Sequence, residues 1–463
     1  MSYPNVLFFF TDDQRFDTIG ALGNPHIKTP NMDWLVENGT TFENAYIMGG
    51  TDEAVCMPSR AMLMTGRTLF GLSNSGQSIP HNHVMLGETL QENGYRCWGT
   101  GKWHNGTGSF SRSFNDGADV YFGGMYDHWM VPVHSFDQSG RYEGRIRRTA
   151  AFRPSNDVED KIADHMHAGS HSSELFAGHA VEFLDNYKEN DPFFAYVAFM
   201  APHDPRTMPQ EFLDMYDASS IDIGESFIPI HPFDNGELTV RDELLSAIPR
   251  KESDVRQHIA EYYAMISHVD AQIGKVIDSL CKSGKLDDTI IVFAGDNGLA
   301  LGRHGLMGKQ NLYDHSLHVP LIMSGPNIPR GKSTQSLVYT ADIYPSLCDL
   351  MGIDIPETVL GSSFSALFSQ LTAQHREYLY FVYKALMRAV QVDGYKLIEY
   401  HVHGNRHSQL FDLNCDPMET VNLVGELSYQ SMISDLRKKM DKARSEFGDH
   451  QAPFDSFWEG FEY

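Results

Sequence analysis

The stretch NVLFFFTDDQ, residues 5–14, joins a short apolar run to a pair of aspartates. The run from Val6 to Thr11 is almost entirely apolar and lacks the polar alternation of a half-exposed strand. It therefore predicts a strand that is buried on both faces. Asp12 and Asp13 follow directly, so the sequence places two carboxylates just beyond the carboxyl end of that strand.

Two later runs repeat this arrangement of an apolar strand followed by polar residues. Phe193 to Met200 precedes APHDP, which contains His203. Thr289 to Ala294 precedes GDNG, which contains Asp296 and Asn297. Helical patterns separate the runs, so we predict an α/β fold with a large, mostly parallel sheet sandwiched by helices. In such sheets ligands bind beyond the carboxyl ends of the strands, where all three polar clusters fall.

A second, smaller region is predicted to follow the large sheet. Asp393-Gly394 is a hairpin signal between two short strand-like runs, and Met432, Leu436 and Met440 share one face of a helix. We predict a large α/β domain at 1–369 and a smaller C-terminal α+β subdomain at 370–463. The elements of this subdomain are four antiparallel strands and a helix: Tyr378–Val382, Ala385–Val392, Tyr395–Tyr400, Gln409–Asp412 and Ser428–Phe447.

Composition argues against some classes of function. The 463 residues carry 36 basic and 61 acidic side chains, a formal net charge of −25, whereas a general nucleic-acid binder has a basic surface. The first residues lack the basic segment and cleavage site of a signal peptide, and their apolar run is too short to cross a bilayer. We expect no nucleic-acid partner and no membrane association. As written, the chain is expected to be cytoplasmic, or periplasmic or secreted if a signal peptide has been removed.

The cysteines do not form a disulfide or zinc pattern. Five of them, at positions 56, 97, 281, 348 and 415, are scattered without CxxC spacing. Their odd number and spacing argue against a disulfide framework and against a structural zinc site.

The stretch CMPSRAMLMTGR, residues 56–67, predicts a short helix that begins just after Cys56. Pro58 suits the first turn, strong helix formers follow, and Thr65-Gly66 supplies a stop. Cys56 then lies at a helix N-terminus, where free N–H groups and the helix dipole favour an anion. Arg60 adds a fixed positive charge one turn later. The alternative is a buried core cysteine before an ordinary helix, since free cysteine often packs as a small apolar side chain.

Four side chains from the predicted strand ends form a set of hard oxygen donors. Carboxylate and amide oxygens favour calcium or magnesium, whereas zinc prefers histidine and thiolate ligands. Taken separately, a DD or DNG sequence is also common in turns and helix caps. We favour one calcium ion over magnesium for this set, which comprises Asp12, Asp13, Asp296 and Asn297.

Two glycine-flanked loops add basic side chains. GTGKWHNG, with Lys102 and His104, follows the predicted strand Tyr95 to Trp98. GRHGLMGKQNLYD, with His304 and Lys309, follows GDNG. Each lysine or histidine taken singly is more commonly a solvated surface group, and the chain has 22 histidines.

Together these motifs resemble the formylglycine-dependent sulfatases of the alkaline-phosphatase-like superfamily, of the type that acts on carbohydrates. The residues from Cys56 to Arg67 fit that family's signature CxPSRxxxxTGR. The resemblance covers most of the chain, in the order and spacing of the family. Its other segments are NVLFFFTDDQ, TPNMDWLVENGTTFENAY, GYRCWGTGKWH, APHDP, GDNGLALGRHGLMGKQNLYDHSLHVPLI and LFDLNCDPMETVNL.

The resemblance implies that a maturation enzyme oxidises Cys56 to formylglycine, whose hydrate is the nucleophile. It implies one calcium ion held by Asp12, Asp13, the modified Cys56, Asp296 and Asn297. It also implies catalytic roles beyond Cys56: Arg60 and Lys102 position the hydrate and the sulfate, His104 assists at the hydrate, and His203 with Lys309 serves the leaving-group oxygen.

The chemistry implied by this family explains these residue types. In-line attack on sulfur needs charge stabilisation at the non-bridging oxygens, and a proton donor such as His203 for the departing alkoxide. The second hydroxyl of the hydrate then loses its proton, to His104, and the aldehyde re-forms as sulfate leaves. Water does not have to attack sulfur, which is the advantage of an aldehyde over serine.

The segment from Asn105 to Glu174 departs from the family pattern. It is rich in Gly, Ser, Asp, His and aromatic residues and contains arginines at 141, 145, 147, 148 and 153. It is either a solvated insertion or a wall of the substrate pocket, where an arginine cluster would suit an anionic saccharide. The segment from Ser219 to Arg250 is a second candidate wall. The candidate substrate-binding residues are His128, Trp129, Arg148 and His304.

The leading prediction is a sulfuric ester hydrolase that acts on a sulfated carbohydrate. The first rival is a phosphonate or phosphate monoester hydrolase of the same superfamily, because the two kinds of ester differ mainly in charge. A choline sulfatase would need an aromatic and acidic pocket. An inactive binder of sulfated glycans would have an unmodified cysteine, but a binder has no use for a complete set of acids, bases and metal ligands. The sugar and the oligomeric state stay open.

Overall fold

The computed structural model describes residues 3–149 and 158–461, and it places one large sheet between two layers of helices. Within these ranges, none of the helices combines the length and the apolar composition needed to cross a membrane. The strands, in chain order, are β1 (Asn5–Thr11), β2 (Gly39–Phe42), β3 (Ala45–Tyr46), β4 (Gly49–Gly50), β5 (Arg96–Lys102), β6 (Asp116–Tyr121), β7 (Met130–Val133), β8 (Arg145–Thr149), β9 (Val158–Ile162), β10 (His165–Ala168), β11 (Phe193–Ala198), β12 (Thr289–Gly295), β13 (Leu321–Ser324), β14 (Lys332–Thr334), β15 (Val338–Tyr339), β16 (Tyr378–Tyr383), β17 (Met387–Val392), β18 (Tyr395–Val402) and β19 (Asn405–Asp412). The α-helices, in chain order, are α1 (Pro30–Asn38), α2 (Cys56–Thr65), α3 (Leu86–Glu92), α4 (Thr107–Ser113), α5 (Ser172–Asn186), α6 (Gln210–Leu213), α7 (Glu252–Lys282), α8 (Asp314–Leu317), α9 (Ile343–Met351) and α10 (Gln430–Phe447).

The large sheet has eight strands in the order β14-β2-β13-β12-β1-β11-β5-β6 and is mostly parallel, as predicted. β1 lies between β11 and β12 and is parallel to both, with Val6 opposite Phe194 and Ile290. Among the described strands of this sheet, only β13 runs antiparallel to its neighbours, β12 and β2. The parallel strands therefore present their carboxyl ends at one edge, where ligands bind in such folds.

Alternate residues of β1 belong to two separate hydrophobic layers. Leu7 and Phe9 pack with α1, α5 and α7 on one face of the sheet. Val6, Phe8 and Phe10 pack with α2 and α9 on the other face. All seven residues of β1 are buried. The apolar run near the start of the chain therefore reflects a strand with no solvent-exposed face.

The smaller sheet contains the four predicted C-terminal strands and one strand that the sequence did not predict. Its order is β19-β18-β17-β16-β4, and the neighbours are antiparallel except for β16 and β4. Asp393 and Gly394 both have positive φ, 48° and 79°, and form the predicted hairpin. α10 packs against β17 and β18. The additional strand, β4, precedes Cys56 closely and joins this sheet to the N-terminal part of the chain.

One hydrophobic cluster runs across the predicted boundary between 1–369 and 370–463. It includes Tyr344 and Leu347 of α9 together with Leu379 of β16. The boundary itself stays a prediction.

β5 is longer than predicted and includes Lys102 itself. We expected a strand that ends at Trp98 and a loop that carries Lys102, but β5 continues to Lys102 beside β11 and β6. Gly101 allows this close packing, because its φ is 94° and a side chain there would meet the carbonyl oxygen of Ala198 at 1.9 Å. A glycine that suggested a loop therefore allows the backbones of β5 and β11 to lie close together. Lys102 is the last residue of β5 and is fully buried.

A buried ion cluster fastens the smaller sheet to the loop after Lys309. Lys396 of β18 is fully buried, and its Nζ lies 2.5 Å from Asp314 Oδ1 and 2.5 Å from Glu419 Oε1. Asp314 is the first residue of α8, and its backbone N–H donates to Glu419 Oε2 at 2.7 Å. The Tyr46 hydroxyl donates to Asp314 Oδ2 at 3.0 Å. Separate parts of the chain are therefore joined at one lysine.

We expect Lys396→Met to lower the free energy of unfolding by about 3–5 kcal/mol, because two carboxylates would remain buried without their counter-charge. Urea unfolding of the purified variant measures this loss. Lys438→Met is the matched control, since Lys438 pairs with Asp435 at the exposed surface of α10, where an ion pair contributes at most about 1 kcal/mol. Equal unfolding free energies for the two variants would contradict the role of Lys396.

Candidate active site

Cys56 opens a buried helix. α2 begins at Cys56 itself, slightly earlier than predicted, and ends at Thr65, where Gly66 takes a left-handed conformation with φ 59°. Every residue of α2 is buried. Asn105 supports the first turn by donating from Nδ2 to the carbonyl oxygen of Met57 at 2.8 Å. The structure therefore confirms a helix with Cys56 at its N-terminus, where backbone N–H groups favour an anion.

Two basic side chains flank the Cys56 sulfur. Sγ lies 3.4 Å from His104 Nδ1 and 3.7 Å from Lys102 Nζ. Burial raises the pKa of the Cys56 thiol to about 11, although Lys102 and Lys309 act in the opposite direction. The encoded thiol therefore stays protonated at neutral pH, and thiolate chemistry is not what this position favours.

Carboxylates from separate strand ends meet beside Cys56. One ligand atom from each of Asp12, Cys56 and Asp296 lies within 4.8 Å of the other two. The same holds for Asp12, Asp13 and His203. All of these side chains are buried. The parallel sheet thus brings four parts of the chain to one place, as expected. They are the carboxyl ends of β1 and β12, the loop after β11 and the N-terminus of α2.

Two buried oxygens of this cluster have no hydrogen-bond partner within residues 3–149 and 158–461. They are Asp12 Oδ1 and Asn297 Oδ1. Burial and then the charge of Asp12 raise the pKa of Asp296 to about 7, because neighbouring carboxylates resist joint ionisation. A divalent cation would satisfy both unpaired acceptors and favour the ionised carboxylates. Carboxylate and amide oxygens suit a hard cation, so the residues present fit calcium or magnesium.

Arg60 links the carboxylates to β5. Its Nε donates to Asp296 Oδ2 at 2.9 Å, and its Nη1 donates to the carbonyl oxygen of Lys102 at 3.0 Å. The guanidinium carbon lies 5.0 Å from the centre of the Phe10 ring. Lys102 donates from Nζ to Asp12 Oδ2. The two buried cations therefore compensate Asp12 and Asp296 and hold both carboxylates in place.

His203 and Lys309 converge on Asp13. His203 Nε2 lies 3.6 Å from Asp13 Oδ2, and Lys309 Nζ lies 2.5 Å from Asp13 Oδ1. Asn297 donates to the same Oδ1 at 2.6 Å. Burial opposes the charge on Lys309, but its negative neighbours, Asp13 foremost and then Cys56, Asp12 and Asp242, together raise the pKa of the lysine well above its ordinary value. Asp13 itself has φ 63°, a conformation that is uncommon outside glycine and that this network holds in place.

His104 is neutral beside the Cys56 sulfur. Burial, together with Lys102 and Arg60, holds the pKa of His104 well below its ordinary value. Gly124 lies against the far side of the ring, where a side chain would meet His104 Nε2 at 3.2 Å. A neutral imidazole next to the nucleophile position is able to accept a proton.

His128 lies behind His203 and is fully buried. Its Nε2 is 2.9 Å from the His203 carbonyl oxygen, and its Nδ1 is 2.8 Å from Ser172 Oγ. The ring stacks on His171 at 4.8 Å, and the partly exposed Trp129 meets His171 edge-on at 5.4 Å. The polar atoms of His128 are thus engaged with the protein, where they support the loop that carries His203.

His304 belongs to a stack of rings beside α8. Its ring lies 3.9 Å from that of Tyr313, and burial lowers the pKa of His304 to about 3. Arg148 belongs to β8, but its side chain lies outside the described part of the chain, as does Arg153. Substrate contact by His128, Trp129, Arg148 and His304 stays a prediction.

Three consecutive residues that the sequence did not mark as functional contact both the His203 loop and the Lys309 loop. They are Arg241, Asp242 and Glu243, in the segment that we predicted only as a candidate pocket wall. No periodic pattern marks a charged triplet in a loop, and nothing in a single sequence pairs position 241 with position 204.

Buried carboxylates, lysines and histidines at the strand ends of a parallel sheet are typical of hydrolases that cleave charged esters with the help of a metal ion. The chain belongs to the sulfatase family, because the sequence profile of that family matches residues 4–353. A second profile, described as N-sulphoglucosamine sulphohydrolase, C-terminal, matches residues 302–446. The predicted resemblance is thereby confirmed, and the protein is a sulfuric ester hydrolase.

Similar proteins extend over nearly the whole chain. An N-acetylglucosamine-6-O-sulfatase of Bacteroides thetaiotaomicron is 24% identical, over 96% of this chain and 87% of that protein. A structure solved in complex with its substrate, D-glucosamine-2-N,6-O-disulfate, has a TM-score of 0.74 at 20% identity and covers 97% of this chain and 99% of its own. The phosphonate monoester hydrolase of Agrobacterium radiobacter has a TM-score of 0.75 at 21% identity and covers 96% of each chain. These structural neighbours confirm the predicted fold.

Proposed function

We propose that this sulfatase removes sulfate from a carbohydrate, with Cys56 matured to formylglycine and one calcium ion at the carboxylate cluster. The observation that carries the proposal is the setting of Cys56 at a buried helix N-terminus, with His104 and Lys102 at 3.4 and 3.7 Å from its sulfur. The relative described as an N-acetylglucosamine-6-O-sulfatase, and the fold neighbour solved with D-glucosamine-2-N,6-O-disulfate, support a carbohydrate substrate. The proposed calcium ligands are Asp12, Asp13, the modified Cys56, Asp296 and Asn297.

On the nucleophile side, the bound calcium would supply charge for the sulfate oxygens and the formylglycine hydrate would supply the attacking hydroxyl. Lys102 and Arg60 hold the carboxylates beneath position 56, and Lys102 Nζ also lies close enough to stabilise negative charge there. His104, which is neutral, receives a proton at this position.

On the leaving-group side, His203 and Lys309 act on the oxygen that departs from sulfur. A sugar alkoxide is strongly basic, so its departure requires a proton, which we assign to His203. Lys309 stabilises the charge that develops on the same oxygen. Both side chains contact Asp13, which keeps them within reach of one substrate atom. His128 holds the backbone of His203 through its carbonyl oxygen.

We expect at least one sulfated mono- or oligosaccharide to be hydrolysed with a kcat/KM about 10²-fold or more above that of the matched aryl phosphonate, aryl phosphate and choline sulfate. The reason is that hydrogen bonds to a specific sugar leave buried polar groups unpaired when the wrong ester binds. A panel of defined sulfated saccharides, with release of inorganic sulfate or phosphate as readout, measures the preference.

A higher efficiency on the phosphorus esters would replace the proposal with a phosphonate or phosphate monoester hydrolase. A preference for choline sulfate would retain the chemistry but overturn the carbohydrate assignment. Binding of sulfated saccharides without turnover by fully matured protein would indicate an inactive binder.

A further inference from the structure

His203 is held by its neighbour in the sequence. His203 Nδ1 donates to the carbonyl oxygen of Asp204 at 2.9 Å, and one carboxylate oxygen of Asp204 lies 3.3 Å away. Both neighbours of Nδ1 are acceptors, so this nitrogen carries the hydrogen. Nε2, which faces Asp13, is thereby left as the nitrogen for proton exchange with substrate.

Arg241 holds Asp204 in turn. Two guanidinium nitrogens of Arg241 contact the two carboxylate oxygens of Asp204, at 2.5 and 2.9 Å. The same guanidinium lies 2.6 Å from Asp242 Oδ1. A bidentate pair fixes direction as well as distance, so Arg241 sets the orientation of the carboxylate next to His203.

The next two residues reach the loop that carries Lys309. Asp242 Oδ2 accepts from Gln310 Nε2 at 2.8 Å, and Gln310 Oε1 accepts from the backbone N–H of Lys309 at 3.0 Å. Glu243 accepts from the backbone N–H groups of Met307 and Gly308, both at 2.8 Å. Glu243 therefore anchors the backbone just before Lys309, and Asp242 is linked to the backbone of Lys309 through the side chain of Gln310.

We infer that Arg241, Asp242 and Glu243, here called the 241–243 clamp, are positioning residues that set His203 and Lys309 relative to one leaving-group oxygen. The inference rests on the proposed function, because it concerns the two residues assigned to that oxygen. The clamp belongs to the loop segment 219–250, so a segment outside the family motifs would align the leaving-group side of the site.

The clamp has a consequence that depends on the leaving group. A nitrophenolate departs without a proton, whereas an unactivated phenol or a sugar alkoxide needs the proton and charge stabilisation that aligned His203 and Lys309 provide. Misalignment of His203 and Lys309 should therefore lower the rate on an activated ester only slightly and the rate on an unactivated ester strongly. A general loss of structure would instead lower both rates alike.

The test is Arg241→Ala in the full, matured chain, assayed on 4-nitrophenyl sulfate, on phenyl sulfate and on the preferred sulfated saccharide. We expect kcat to fall by about 3-fold or less on the nitrophenyl ester and by about 30- to 100-fold on the saccharide, with the phenyl ester between, because general acid catalysis contributes about 10²–10⁴-fold. Arg241→Lys should recover part of the loss, since a lysine can reach one carboxylate as a point charge. Arg330→Ala is the matched control: Arg330 pairs with Asp287 at the opposite end of the sheet from Asp296, and its loss should change no rate.

Arg241 is 41% exposed, but its partners Asp204 and Asp242 are largely buried, so its replacement should lower the melting temperature, and a nearly unchanged rate on the nitrophenyl ester shows that the site is still formed. Asp204→Asn is the second variant, and it should show the same dependence on the leaving group if Arg241→Ala proves unstable. Equal losses on all three substrates, or no loss, would overturn the clamp. A wild-type enzyme that cleaves aryl sulfates but no sulfated saccharide would instead defeat the carbohydrate assignment, and the comparison of the two aryl esters would still decide the inference.

Discussion

Replacement of Cys56 by alanine is expected to lower kcat on every sulfate ester by on the order of 10⁴-fold or more, as removal of a nucleophile does in other hydrolases. The residue stands at a helix N-terminus against two basic side chains and a carboxylate cluster, groups to which the proposed function gives proton transfer, charge stabilisation and metal binding rather than attack on sulfur. The substitution removes one sulfur atom from a buried position, and the fold should persist. Far-ultraviolet circular dichroism of the variant checks this.

Cys281→Ala is the matched control, because Cys281 is an exposed free cysteine near the end of α7. It should retain wild-type kcat. Mass spectrometry of the peptide that contains Cys56 should show an aldehyde in place of the thiol in active preparations. Fully active enzyme with only the unmodified thiol would refute the proposed nucleophile.

Removal of the proposed cation is expected to lower both kcat and the melting temperature. Asp12, Asp13 and Asp296 are all buried, and two of the oxygens in their cluster lack partners among the described residues. Without a cation, the described groups that compensate these carboxylates are Arg60, Lys102 and Lys309, with His203 also against Asp13. A ligand that saturates its site at 1,000 times its Kd adds about 4 kcal/mol to the unfolding free energy. We expect kcat to fall by about 10²-fold or more after chelation.

Dialysis against a chelator followed by calcium, and in parallel by magnesium, measures this dependence. Calcium should restore both activity and melting temperature at lower concentration than magnesium, which binds carboxylates in a stricter geometry and loses water reluctantly. Asp296→Asn should weaken the calcium response in the melting temperature. Full activity and an unchanged melting temperature after exhaustive chelation would rule out a catalytic calcium site.

The sheet and the strand-end residues were predictable from sequence because their pattern is local. Val6 to Phe10 form one unbroken apolar run, as a strand covered on both faces requires, and polar residues that follow the strands of a parallel sheet gather at one edge. Asp12, Asp296 and His203 were therefore predicted to lie at one edge of the sheet. The CMPSRAMLMTGR segment was equally informative, since its helix start and stop signals agree with α2.

Other features of the site depend on contacts between residues that are far apart in the chain. The hydrophobic periodicity of a single sequence does not reveal such contacts. Lys102 was expected in a loop because glycine is a common loop residue, whereas Gly101 serves close packing between strands. His128 was selected for its polar and aromatic surroundings, and the structure buries it behind His203. Arg241 went unnoticed because its partner Asp204 is remote in sequence.

The pairing of β4 with β16 affects when the surroundings of Cys56 can form during synthesis of the chain. Gly49 pairs with Val382, so the strand that leads toward Cys56 gains its partner only after most of the polypeptide has been synthesised. Until β16 has been synthesised, the segment that leads into α2 lacks the strand pairing between β4 and β16. A growing chain would thus keep the future nucleophile position open during most of translation and close it near the end, which leaves a window of time for chemical modification of Cys56 before it is buried.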